Sequence, residues 1–126
     1  MSSQYLMLIH TDPELLAALP ADEYDALMRG CIRHADELRA RGILIDSQQL
    51  EPAATARALR TRDGVARVVD GPFAETKEML AGYNLIRAAD LDEAVAIARA
   101  FPWSRFGCIE VRAVRDFQAE RERVGA

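Results

Sequence analysis

The first apolar run of the chain, Tyr5-Leu-Met-Leu-Ile-His10, is unbroken, short and led by an aromatic residue. Residues of both parities are apolar, which predicts a central β-strand buried on both faces. Residues 11–20 contain Pro13 and Pro20 and read as a connector with one helical turn over 14–19. Over 22–41 the period changes. Tyr24, Leu27, Met28, Cys31, Ile32, Ala35 and Leu38 recur at intervals of three and four, which lays one apolar stripe along a helix. Asp22 falls at its N-cap and Gly42 just beyond its end. Ile43-Leu-Ile45 then reads as a short strand.

Residues 55–60 and 65–70 flank Thr61-Arg-Asp-Gly64, and the Asp-Gly pair between β-branched arms predicts a hairpin. Residues 74–79 read as a helical turn. Residues 80–87 resume as a strand in which Gly82 marks a bulge or a close backbone approach. Asp90-Leu-Asp-Glu93 resembles a capping box. The helix it opens carries Leu91, Ala94, Ile97, Ala98 and Phe101 on one face and stops before Pro102. Trp103 and Phe106 flank the following turn and plug that end of the domain. Residues 108–114 form the last strand, with Ile109 and Val111 alternating against Glu110 and Arg112, which share one face and read as cross-strand ion-pair residues. Residues 1–115 make one domain, and 116–126 form a polar tail, frayed or helical.

The order strand, helix, strand, hairpin, strand, helix, strand is that of an α+β, ferredoxin-like split βαβ fold with an inserted β-hairpin. Each main helix has a single apolar stripe, so both cover the same face of an antiparallel sheet. The other face also carries apolar residues, either Leu6 and Leu8 or Tyr5, Met7 and Ile9. A second copy is the simplest cover, so the expected unit is a homodimer packed sheet face to sheet face.

Composition narrows the function. At 126 residues the chain is one ordinary domain. A net charge of −4 with no basic block argues against nucleic acid and against recruitment to anionic membranes. No apolar run approaches the roughly 20 residues of a membrane helix. Cys31 and Cys108 lie far apart, with no zinc spacing, and read as two buried thiols of a reducing cytosol. No metal is expected, because His10 and Asp12 make only a weak two-residue signal, and no cofactor, because phosphate loops and dinucleotide fingerprints are lacking. Of the 16 basic residues 15 are arginine, a bias that resembles a GC-rich bacterial genome. The one lysine, Lys77, falls in the most distinctive stretch of the chain.

That stretch is Asp70-Gly-Pro-Phe-Ala-Glu-Thr-Lys-Glu78. Gly71-Pro72 forces a sharp change of direction and leaves Asp70 at a strand end. Asp70 is a candidate general base or pocket acceptor, and equally a turn-former bonding its own backbone. Phe73 supplies an apolar wall. Glu75 and Glu78, three apart, are a candidate acid/base pair, or a solvated turn paired with Lys77, or part of a dimer contact. His10 ends the first strand and is the better placed histidine for proton transfer, the alternative being an imidazole at the core edge. His34 borders the helix stripe as a satisfied boundary histidine. Tyr83 either donates a phenolic proton or packs with its hydroxyl at the rim.

The same run matches the signature of the DGPF-type branch of the YCII-related proteins, which this chain resembles over roughly 5–114. The opening Tyr-Leu-Met-Leu-Ile strand, Leu80-Ala-Gly-Tyr83, Asp90-Leu-Asp-Glu-Ala94 and Gly107-Cys-Ile-Glu-Val-Arg112 agree with it as well. The resemblance implies a bacterial protein that dimerises as an α+β barrel. It also implies a mostly uncharacterised activity, enzymatic in some branches through a His/Asp pair in a pocket. DGPF-type members are often encoded beside sigma factors of the extracytoplasmic-function type, which suggests regulation. The YCII-like histidine of the first helix falls on Cys31 here, a departure that weakens the case for that pair.

Two functions are therefore expected. The first is a cytoplasmic small-molecule domain with a pocket at the motif, running cofactor-free acid–base chemistry of an isomerase, lyase or hydrolase kind. Its candidate catalytic residues are Asp70, His10 and Glu75, and its candidate ligand-binding residues are Gly71, Pro72, Phe73, Lys77, Glu78 and Tyr83. The second is a non-catalytic ligand-sensing or interaction module linked to a sigma factor.

Overall fold

The computed structural model describes residues 3–74 and 76–126. In chain order the elements are β1 (Ser3–Thr11), α1 (Pro13–Ala17), α2 (Ala21–Ala40), β2 (Leu44–Gln49), β3 (Arg57–Arg62), β4 (Val65–Asp70), β5 (Met79–Ala88), α3 (Leu91–Arg99), β6 (Gly107–Ala113) and α4 (Phe117–Val124). Short 3-10 turns stand at Ala53–Thr55 and Pro102–Phe106. One four-stranded antiparallel sheet has the order β2-β5-β1-β6, and β3-β4 form a separate ribbon. This is the expected ferredoxin-like α+β arrangement, with the ribbon inserted between β2 and β5.

β1 lies at the centre, and its side chains alternate between two environments. Tyr5, Met7, Ile9 and Thr11 are buried on the helix side. Leu6, Leu8 and His10 point the other way and are only half-buried. The neighbours keep this parity. Ile86 and Ala88 of β5 join the buried side, where Met7, Ile86 and Phe101 are the largest fully buried side chains. Leu38 of α2 and Ala94 and Ala98 of α3 close the core over them. The opposite face, around Leu6, Leu8 and Leu85, has no layer of this chain across it among the described residues.

Local signals account for most element ends. Asp90 accepts the Glu93 N–H at 2.8 Å and so caps α3 as expected. Gly42, at φ 75°, follows α2. Its N–H donates to the Arg39 carbonyl and that of Ile43 to the Leu38 carbonyl, a Schellman ending. The start of α2 differs from expectation: Pro20, not Asp22, is the N-cap, and no side chain caps it. Asp22 and Glu23 instead sit in the first turn, where the helix dipole favours them. Asp63 and Gly64 both have positive φ, as a two-residue type I′ hairpin turn requires.

Gly82 behaves as expected for a close approach. A Cβ there would lie 2.6 Å from the Gln48 carbonyl oxygen, and the β1–β5 register slips beside it, between Ile9 and His10.

Three further expectations are corrected. The helical turn over 74–79 is not formed among the described residues. There the Thr76 hydroxyl donates to the Glu78 carbonyl, a local bond that competes with helix formation. Cys108 is exposed and only Cys31 is half-buried. Cys108 pairs across the sheet with His10, which puts it on the uncovered face. His34 is not satisfied: its ring sits edge-on to Phe101 at 4.9 Å, and its Nε2 is buried with no partner among the described residues.

A Cβ at Gly107 would lie 2.1 Å from the His10 carbonyl oxygen. Gly107→Ala is therefore expected to lower stability by about 3 kcal/mol, since backbone must move to admit it. Gly30, inside α2, has nothing within 4 Å of such a Cβ. Gly30→Ala is expected to raise stability by about 0.5–1 kcal/mol. Urea unfolding of the two variants reads both, and a Gly107→Ala midpoint equal to the wild type would contradict the close approach.

Candidate functional site

β1 ends at Thr11, and Asp12 follows it directly. Asp12 is 3 % exposed. Its Oδ1 accepts the Glu14 N–H at 2.9 Å and so caps α1, with Pro13 in the first helical turn. Its own N–H donates to the Phe106 carbonyl at 2.8 Å, tying this corner to the turn before β6. The other carboxylate oxygen, Oδ2, lies 3.9 Å from the Lys77 ammonium. A buried carboxylate is thus held rigidly by the fold while its free oxygen meets the lysine of the motif.

These groups border a cleft of about 710 Å³, lined by His10, Asp12, Leu15, Thr76, Lys77, Glu78, Cys108 and Glu110. Strand pairing builds the far wall, because His10 pairs with Cys108 and Leu8 with Glu110. The His10 Nε2 stands 3.6 Å from Glu110 Oε1, and Glu110 Oε2 stands 4.0 Å from the Arg112 guanidinium. The cross-strand partner of Glu110 is thus His10, and its contact with Arg112 lies within β6. An imidazole, an ammonium and a held carboxylate around one opening can bind an organic anion and pass a proton.

The remaining candidates lie elsewhere. Asp70 sits at the end of the β3-β4 ribbon with its side chain 93 % exposed, 3.5 Å from the Arg57 guanidinium. Gly71 adopts φ 103° and donates its N–H to the Ala56 carbonyl at 2.7 Å, which makes the turn. Phe73 is 80 % exposed with the Arg60 guanidinium 5.3 Å above its ring. Pro72 lines a separate groove beside Thr76 and Met79. His10 and Asp70 thus have different partners, Glu110 and Arg57, and Asp70 is not among the residues lining the cleft. Glu75 lies outside the described residues. Of the nominated residues His10, Lys77 and Glu78 come together.

Tyr83 is on the uncovered sheet face, where its hydroxyl donates to Asp46 Oδ2 at 2.7 Å. That bond holds the Asp46 carboxyl below the ordinary aspartate range and pushes the Tyr83 phenol up. Cys108 was not read from the sequence as a member of the site, and Asp12 was weighed only beside His10, as a weak metal pair. Among the described residues no group of three or more His, Cys, Asp or Glu side chains could hold a metal ion. Nor is any helix long and apolar enough to cross a membrane.

Residues 3–118 match the YCII-related domain family, and the chain belongs to that family. It is 38 % identical over 95 residues to the uncharacterized protein R00369 of Rhizobium meliloti (strain 1021), an alignment covering 75 % of this chain and 77 % of the relative.

The Tyr83–Asp46 bond has a pH signature. The folded Asp46 value is depressed, so its contribution is present above the ordinary aspartate value and lost as pH falls through the folded one. The folded Tyr83 value is raised, so its contribution is present below the ordinary tyrosine value and lost as pH climbs through the folded one. The urea midpoint of the wild type is expected to exceed that of Tyr83→Phe at neutral pH and to converge with it at both extremes. A gap independent of pH would contradict the bond.

Proposed function

We propose that this YCII-related domain binds a small organic anion in the cleft at the end of β1 and acts on it, or senses it, without a cofactor. The observation that carries the reading is the buried Asp12 carboxylate, held by the α1 cap and facing the Lys77 ammonium across the opening. Lys77 supplies the counter-charge for the ligand, in a charge-assisted bond stronger than a neutral one. His10, oriented by Glu110, is the group that takes or gives the proton, and Asp12 limits where the lysine can sit. Proton transfer next to a carbonyl, as in isomerisation or elimination, is the chemistry this set suits.

The proposed unit is a homodimer in which the uncovered faces around Leu6, Leu8 and Leu85 pack together. A soluble sheet face of this kind needs a partner layer, and a second copy supplies the same apolar surface in return.

A second reading has its own support. Asp70 and Phe73 stand exposed on the ribbon and border no cavity described above. The DGPF half of the motif then serves as a contact surface for a partner protein, consistent with the sigma-factor association that the resemblance implies.

Calorimetric titration with a panel of small carboxylic acids tests the first reading. At least one acid is expected to bind the wild type. Lys77→Met is expected to weaken it about tenfold, the worth of one charge-assisted bond. The Lys77 side chain is 79 % exposed, and far-UV circular dichroism and the urea midpoint of the variant separate lost binding from lost fold. Following the bound acid by NMR over hours separates turnover from sensing. Binding that ignores Lys77→Met, or no binding by any acid, would overturn the cleft.

A further inference from the structure

The structure assigns a second, apolar ligand site to the other side of β1, one that takes a small neutral molecule carrying a hydrogen-bond acceptor. Alternation along the strand creates it. His10 opens onto the polar cleft, while Ile9 and Thr11 point toward α2. Between the sheet and the helices on that side lies a cavity of about 220 Å³. None of the residues lining it lines the cleft.

Its walls are apolar: Leu16, Met28, Ile32, Ala35 and Trp103. Among the described residues no charged side chain borders it, so a charged occupant would lose its water shell with no counter-ion there to replace it. Its floor is polar. Asn84 is 4 % exposed, and its Oδ1 accepts the Ser47 hydroxyl at 2.6 Å. In this arrangement the oxygen end of the amide is taken by the Ser47 hydroxyl. The Nδ2 group then remains as a donor, and among the described residues no protein group accepts from it. An apolar occupant would cover that donor without pairing it, which is costly, so this cavity favours an occupant that brings an acceptor.

Size sets the class. An apolar cavity of about 150 Å³ holds benzene, so the larger volume here takes one ring with a small substituent. A cyclic ketone or lactone of that size meets both demands: a hydrocarbon body for the walls and a carbonyl oxygen for Asn84. Thr11, Leu16, Gln49 and Ala81 also border an outer groove that includes Pro72 and Thr76 of the motif loop. Entry therefore runs beneath that loop.

The chain has a single tryptophan, Trp103, and it stands in the cavity wall with its Nε1 donating to Cys31 Sγ at 3.3 Å. Its emission reports occupancy directly. Wild-type protein is titrated with cyclohexanone and with methylenecyclohexane, which have the same shape with and without the acceptor. Saturable changes are expected with both, with the ketone about tenfold tighter. That preference is expected to vanish in Asn84→Leu. Ala35→Phe, which fills the cavity, is expected to abolish both responses, and Lys77→Met to leave both unchanged. A wild type with no saturable response, or with equal affinity for the two probes, would overturn the site whatever the variants do. Loss of both responses in Lys77→Met would show that the probes report the cleft instead. A ketone preference that survives Asn84→Leu would remove Asn84 as the donor and overturn the assignment.

Discussion

Side-chain alternation along β1 is the constraint on which the rest depends. A central strand with apolar residues at both parities cannot satisfy itself with one layer of helices. Tyr5, Met7 and Ile9 take the helix side and become the core under α2 and α3. Leu6 and Leu8 are left on the other face, beside Leu85 of β5. The same rule reaches the strand's end, where neighbouring residues face opposite compartments. His10 borders a polar cleft with carboxylates and a lysine, while Ile9 and Thr11 border a small apolar cavity.

The corner after β1 turns this geometry into a site. Asp12 is fixed three ways, by capping α1, by its N–H to the Phe106 carbonyl and by burial. An ionised group that is nine-tenths buried persists only where bonds and charge compensate it, and Lys77 is the charge within reach. Glu110 and His10 come from adjacent strands, so their spacing is set by the sheet and not by a flexible loop. The motif loop contributes a cation for the cleft.

Much of the fold was legible in the sequence because its signals are local. The apolar run of β1, the stripe of α2, the Asp63-Gly64 turn, the Gly42 ending and the Asp90 cap each depend on a few adjacent residues. The same holds for Gly82, whose lack of a side chain marks where Gln48 comes close. The site was legible only in part. His10, Lys77 and Glu78 were nominated, but Asp70 was expected in a cleft and lies out on the ribbon. Nothing in the residues near Asp70 states that β3 and β4 pair only with each other. The apolar cavity was not legible at all. Its key contacts join Ser47 to Asn84 and Cys31 to Trp103, pairs far apart in the chain. The helical turn expected over 74–79 failed for a nearer reason: spacing alone cannot show that the Thr76 hydroxyl takes the Glu78 carbonyl.

β1 is two-sided, and we propose that a second copy covers its outer side. Sedimentation equilibrium of the wild type and of Leu8→Asp tests it most directly, because Leu8 is on the outer face and outside the core. The wild type is expected to sediment with twice the 14.0 kDa chain mass. Leu8→Asp is expected to sediment as a single chain with an unchanged far-UV circular dichroism spectrum. A wild type that stays at one chain mass at high micromolar concentration would contradict the claim, as would a Leu8→Asp variant that remains fully dimeric.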